Sequence, residues 1–133
     1  MAGKFVLKTS GDQLVFDLLA SGTSEVLLTS ERYAHRTSAL EGIAAARFSA
    51  PFEAQYLRMT SSTGQAYFVL HAGNNELIGT SAMYPSWRAR EDAIAVVKAN
   101  APGASVHDRT TAKEDVELRQ ARLLRLRAPR RSA

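Results

Sequence analysis

Cysteine is absent from the 133 residues. That removes disulfides, thiolate metal sites and a cysteine nucleophile at once, and it fits a reducing compartment. Proline is scarce, with four residues, and tryptophan occurs once. No apolar run approaches the roughly 20 residues a membrane-spanning helix needs. The opening MAGKFVLKTS lacks the apolar stretch of about 7–15 residues and the small-residue cleavage site of a secretory signal, so a cytoplasmic protein is expected. The motif inventory is equally bare. There is no G-x-S-x-G elbow, phosphate loop, dinucleotide fingerprint or H-E-x-x-H. His35, His71 and His107 lack metal-ligand spacing. No metal, cofactor or catalytic residue is therefore expected.

What is present is ordinary globular material, 45% hydrophobic and 23% charged. The net charge of +4 hides a split. Residues 119–133 hold Arg119, Arg122, Arg125, Arg127, Arg130 and Arg131 and no acid, whereas residues 1–118 hold 11 basic and 13 acidic side chains. The basic character belongs to the tail, which makes those six arginines candidates for polyanion binding. Two plainer accounts stand beside this. Arginine outnumbers lysine 13 to 4 along the whole chain, as a biased genome composition would produce, and charged runs are commonly just solvated.

Self-similarity is the strongest signal. Residues 22–51 compared with 73–102 give nine identities in 30 positions, among them Gly22/Gly73, Thr29/Thr80, Ser30/Ser81, Tyr33/Tyr84, Ile43/Ile94 and Pro51/Pro102; about two would arise at ordinary residue frequencies. Upstream the offset grows by one residue, matching Gln13, Phe16, Leu18 and Ala20 to Gln65, Phe68, Leu70 and Ala72. Repeats at 3–51 and 54–102 follow, within a domain of 1–108, and 109–133 is a separate arginine-rich tail.

Within each repeat the apolar period changes from two to helical. Lys4–Thr9, Gln13–Ala20 and Glu25–Ser30 read as three strands, and Glu53–Thr60, 65–72 and Glu76–Ser81 as three more, joined by turns rich in Ser, Gly, Asp and Asn. Helices are predicted over Arg36–Ser49 and Trp87–Asn100, the second capped by Ser86, each ending before Ala-Pro. A unit of about 50 residues buries too little surface alone. The expected fold is α+β: one six-stranded antiparallel sheet shared by two β-β-β-α repeats, with both helices on one face. A further helix is expected in the tail, opened by a capping box at Thr111–Glu114.

The stretch Phe68-Val69-Leu70-His71-Ala72-Gly73-Asn74-Asn75-Glu76-Leu77-Ile78-Gly79-Thr80-Ser81, followed by Tyr84, Ile94 and Asn100-Ala101-Pro102, resembles the YegP-like family of small, mostly bacterial proteins built from this unit. Phe16, Leu18, Ala20, Glu25, Thr29, Ser30, Tyr33, Gly42 and Ile43 carry the likeness more loosely in the first copy. The resemblance covers about 3–108. It implies paired three-strand-plus-helix units sharing a sheet, and no activity. Ala93 stands where the first copy has Gly42, and Trp87 stands opposite Arg36, so a site shared by both copies is not expected to be duplicated intact.

Candidate chemistry is thin. The Thr-Ser-x-x-Tyr pentads place Ser30, Tyr33, Ser81 and Tyr84 at strand ends, where hydroxyls could bind a small polar ligand. The structural alternative is preferred: serine bonds turn backbone and a tyrosine ring anchors a corner. Glu25 with Glu76 and Glu41 with Asp92 are pairs by the repeat offset that could meet near its axis, though surface carboxylates are usually solvated. Trp87 is expected in the core rather than as an exposed anchor. The expectation is a small non-enzymatic binding module, monomeric by default, with an unidentified partner that could be a protein pairing along a free sheet edge. The alternatives are nonspecific nucleic-acid binding through the tail and an enzyme acting on a small polar ligand.

Overall fold

The computed structural model describes residues 2–110. Along the chain run β1 (Lys4–Ser10), β2 (Gln13–Leu19), β3 (Val26–Ser30), α1 (Arg36–Ser49), β4 (Tyr56–Thr60), β5 (Ala66–His71), β6 (Leu77–Thr80), α2 (Trp87–Asn100) and β7 (Ser105–Asp108). They form a single sheet in the order β4-β5-β6-β3-β2-β1-β7. The first six strands pair antiparallel, and β7 lies parallel to β1. The fold is α+β with a seven-stranded mixed sheet and two helices.

The expected six-stranded, purely antiparallel sheet is thus corrected by one strand. Ser105–Asp108 carries no apolar alternation to announce it. It is recruited because the outer edge of β1 presents unpaired backbone N–H and C=O groups, which another strand satisfies. A second correction concerns the fourth strand. Glu53–Gln55 forms a turn of 3-10 helix before β4 begins at Tyr56, and the Glu53 carboxylate is drawn to Arg58 and Lys98.

Alternation sorts the side chains. On β2, Leu14, Phe16 and Leu18 join one buried cluster with Phe5 and Leu7 of β1, Phe68 and Leu70 of β5, Ile43 and Ala46 of α1, and Ile94 and Val97 of α2. Both helices therefore cover the same face. Each fully buried Leu or Phe contributes about 1.5–3 kcal/mol relative to exposure. The buried stripe of α1 is small-residued (Ala39, Gly42, Ala46 around Ile43), which lets the helix sit close to the sheet. Ser86 caps α2, its hydroxyl accepting from the Ala89 N–H at 3.1 Å.

The register shifts between Leu18 and Leu19, and again between Leu70 and His71. At such a bulge two successive residues face one partner. Leu27 and Leu28 are accordingly both buried, and so is Ile78. The residue after Ile78 is Gly79. A Cβ there would lie 2.7 Å from the Thr29 carbonyl oxygen and 3.0 Å from Leu28 Cγ. Leu28 thus fills the space that a side chain at Gly79 would take, where β3 and β6 meet.

Candidate functional site

The two Ser–Tyr corners have matching local geometry. Ser30 Oγ accepts the Phe16 N–H at 2.9 Å and donates to the Glu31 carbonyl at 2.7 Å. Ser81 Oγ accepts the Phe68 N–H at 2.9 Å and donates to the Ala82 carbonyl at 2.8 Å. Each hydroxyl joins a strand end to the neighbouring strand. The backbone of Tyr33 exchanges two hydrogen bonds of 2.8 Å with Leu14, and Tyr84 does the same with Ala66 at 2.7 and 2.9 Å. The four residues are not brought to one place. Register Thr29↔Thr80 and Ser30↔Gly79 sets the corners at opposite ends of the β3–β6 pair.

The same register separates Glu25 from Glu76. Instead of meeting, Glu76 stands near Tyr33 and Glu25 near Tyr84. Burial raises both phenol pKa values, reinforced at Tyr33 by Glu31 and Glu76 and at Tyr84 by Glu25. The Tyr84 hydroxyl is buried without a hydrogen-bond partner. Glu41 and Asp92 lie exposed on the helices. Trp87, expected in the core, is 61% exposed. It occupies the first turn of α2, ahead of the stripe Ala93, Ile94 and Val97 that meets the sheet, and the Arg88 guanidinium lies 5.4 Å from its ring centroid. Among the described residues no group of three or more His, Asp or Glu side chains is placed to hold a metal ion. No helix there is long and apolar enough to cross a membrane. Arg119, Arg122, Arg125, Arg127, Arg130 and Arg131, and the capping box at Thr111–Glu114, lie outside the described residues.

A surface that motif reading missed lies on the other side of the sheet. Cross-strand partners share a face, so the ladder register traces a row over all seven strands: His107, Val6, Asp17, Thr29, Thr80, Val69 and Leu57. This face is opposite the helices. Its side chains differ sharply between the β1–β3 and β4–β6 sides. On β1 and β2, Lys8 pairs with the buried Asp17 at 2.7 Å, and Thr29 Oγ1 donates to Asp17 at 2.9 Å. With Val15, Val26 and Arg32 they line an open cleft of about 690 Å³. On β4–β6 the face carries Leu57, Met59, Tyr67, Val69 and Leu77, with Leu57 49% and Leu77 37% exposed. By the offset of the internal similarity Val69 corresponds to Asp17 and Met83 to Arg32, and Met59, paired with Tyr67, takes the place of Lys8, paired with Val15. The signal was available in the sequence. Tyr67 and Val69 alternate with Phe68 and Leu70, so β5 is apolar on both sides.

The β4 edge of the sheet is guarded. The Met59 carbonyl on β4 accepts from Arg90 Nη1 at 3.3 Å. Arg58 is held by Glu91 at 2.8 Å and Glu53 at 2.6 Å, and Glu53 by Lys98 at 2.5 Å. Inward-pointing charge of this kind opposes pairing with another strand. The hydrogen bonds from Arg58 and then Lys98 hold the Glu53 carboxyl at about 2. The hydrogen bond from Arg58 likewise lowers Glu91.

Fold and site together define a small α+β protein with a two-helix layer on one face of a mixed sheet and a chemically divided face on the other, over which no helix lies among the described residues. The comparisons place it among known proteins. A family model described as "Domain of unknown function (DUF1508)" matches residues 61–108. A UPF0339 protein of Bordetella pertussis is 50% identical over 112 residues, covering 84% of this chain and all of the relative. The UPF0339 protein YegP of Escherichia coli K12 is 44% identical over 110 residues, covering 83% of this chain and all of YegP. The solution NMR structure of E. coli YegP, described as a protein of unknown function, matches with a TM-score of 0.77 at 46% identity, over 82% of this chain and 94% of that one. That of a UPF0339 protein of Shewanella oneidensis matches with a TM-score of 0.76 at 38% identity, over 81% and 92%. The chain belongs to the UPF0339 (YegP) family, an uncharacterised family.

Proposed function

We propose that this protein is a non-enzymatic binding module whose working surface is the face of the sheet opposite α1 and α2. One observation carries this reading: Leu57, Met59, Tyr67 and Val69 are cross-strand neighbours there, Leu57 being 49% exposed, with no helix over them among the described residues. Contiguous exposed apolar surface on a small protein commonly marks an interaction site. The Ser30/Tyr33 and Ser81/Tyr84 corners are less suited to ligand capture, because both serine hydroxyls are spent on backbone groups. Strand addition is disfavoured by the charge along β4. The reading also takes 3–51 and 54–102 as two copies of one unit in a domain of 1–108, working in the cytoplasm. In its support, both halves share the Ser–backbone latch, the bulge and the Tyr bridge.

The test is selection of random peptides on the immobilised full chain, followed by mapping of the enriched peptides through amide shift changes. Perturbations on Leu57, Val69, Thr80 and Thr29 are expected. Perturbations confined to the helices or the two corners would refute the reading.

A second reading rests on the tail. The match to the Bordetella relative spans its whole length but 84% of this chain, and residues 119–133 hold six arginines and no acid. A segment of that composition suits nonspecific binding to nucleic-acid phosphates. Labelled oligonucleotides titrated at several salt concentrations should give a log–log slope of about −0.7 to −0.9 per phosphate neutralised. Replacing the six arginines by glutamine in the full chain should abolish that binding; unchanged binding would refute this reading.

A further inference from the structure

We infer that the sheet face opposite α1 and α2 takes an extended peptide segment of a partner protein that is acidic at one end and large and apolar at the other, laid across the strands. This deepens the binding-module reading and rests on it. The argument is charge complementarity combined with the division of the face. On the β1–β3 side, the cleft of about 690 Å³ is lined by Val15 and Val26 together with Lys8, Asp17 and Arg32. Lys8 is partly engaged by Asp17. Arg32 is exposed and makes no ion pair among the described residues. Its fork of five donors in a cleft matches a carboxylate. Across the Thr29–Thr80 seam the face turns apolar, with Tyr67, Val69 and Leu57; the ladder positions of β4 and β5 on that side hold no Lys, Arg, Asp or Glu, and His71 stands beside Leu77 at their end. A ligand of uniform character would satisfy only half of this surface.

The dimensions suit a short segment. Val6 on β1 and Leu57 on β4 stand in one ladder row, separated by five inter-strand spacings, about 24 Å at roughly 4.8 Å each. An extended chain of about seven residues spans that distance at roughly 3.3 Å per residue. The segment's carboxylates would pair with Arg32 and Lys8, and its apolar side chains would cover Val69, Tyr67 and Leu57.

The probe is a fluorescein-labelled heptapeptide of two glutamates, one glycine and four leucines, titrated into the full chain. Two companions carry lysines for the glutamates or serines for the leucines. The first peptide is expected to bind at least tenfold more tightly than either companion. Arg32→Glu should weaken it about tenfold and improve the lysine peptide, because one exposed charge contact changes sign. Leu57→Ser should weaken both leucine peptides. Both positions are exposed, so neither variant threatens the fold. Equal binding of the glutamate and lysine peptides, with no effect of Arg32→Glu but loss with Leu57→Ser, would overturn the acidic chemistry and leave the binding face standing. Indifference to both variants would overturn both. Tight binding of the serine peptide would identify a plain polyanion site and overturn the inference. So would self-association in sedimentation that Leu57→Ser abolishes, which would assign the face to a second copy of the chain.

Discussion

The ring of Tyr33 rests on Gly42: a Cβ at that position of α1 would lie 2.3 Å from the Tyr33 hydroxyl and 2.7 Å from Cζ. The ring has little freedom to retreat. It stacks on Phe16 at an interplanar angle of 11°, and Phe16 Cε2 would itself be 3.1 Å from the new methyl. Gly42→Ala sets two effects against each other. Helix propensity favours alanine by about 1 kcal/mol, whereas overpacking costs about 1–3 kcal/mol. The crowding should win, with a net loss of about 1–2 kcal/mol in urea denaturation. The matching position in α2 is already alanine, Ala93. There the opposite change, Ala93→Gly, should cost about 1 kcal/mol through propensity and about 0.8 kcal/mol more for the buried methyl, since Ala93 is part of the core. A stabilised Gly42→Ala variant would refute the packing account.

The two serine latches should be unequal. Ser30→Ala and Ser81→Ala each remove the acceptor of a strand N–H, that of Phe16 or Phe68. An unpaired buried donor costs about 1–3 kcal/mol. Ser81 is 7% exposed, whereas the Ser30 latch is only partly buried, so water can replace its hydroxyl more easily. Ser81→Ala should therefore lie toward the upper end of that range and Ser30→Ala toward the lower. Amide exchange should accelerate at Phe68 and Phe16 respectively. Loss of peptide binding in either variant, with stability and exchange unchanged, would instead assign the serine to a ligand.

The helices were legible in the sequence because each is bounded by local chemistry: Ser86 at the head of α2, and Ala-Pro just beyond the end of both. The central strands were legible because Phe16/Leu18 and Phe68/Leu70 alternate over a buried face. Three features were not. β7 exists because β1 has a free edge, a tertiary cause that leaves no pattern in Ser-Val-His-Asp. Glu53–Gln55 turns as 3-10 helix, with Glu53 paired to residues five and 45 positions away, Arg58 and Lys98. Trp87 lies outside because the first turn of α2 precedes the stripe that meets the sheet, and helical spacing alone does not show where that contact begins. The divided face was half legible. The substitutions Asp17/Val69 and Arg32/Met83 can be read by eye, but only the strand register matches Lys8 to Met59 and puts Lys8, Asp17, Met59 and Val69 on one surface.

Acid should weaken the β4 edge in a defined window. The Glu53 carboxyl sits at about 2, against an ordinary 4.5, because Arg58 and Lys98 hydrogen-bond its charged form. Glu91 is lowered in the same direction, chiefly by Arg58. Both groups take up a proton more readily in the unfolded chain than in the folded one, so the unfolded state binds more protons and falling pH favours it. Their contribution is fully present above the ordinary value of 4.5 and drains away as the pH falls toward about 2. Glu53 is exposed, its side chain 58% accessible, so its share should also shrink with added salt. Thermal unfolding of the full chain and of Glu53→Gln, compared from pH 7 to pH 2, should show a difference in Tm that is largest at neutral pH and closes below pH 4.5. A difference that persists unchanged at pH 2 would mean that packing at Glu53, and not its charge, fastens Arg58 and Lys98 to the edge.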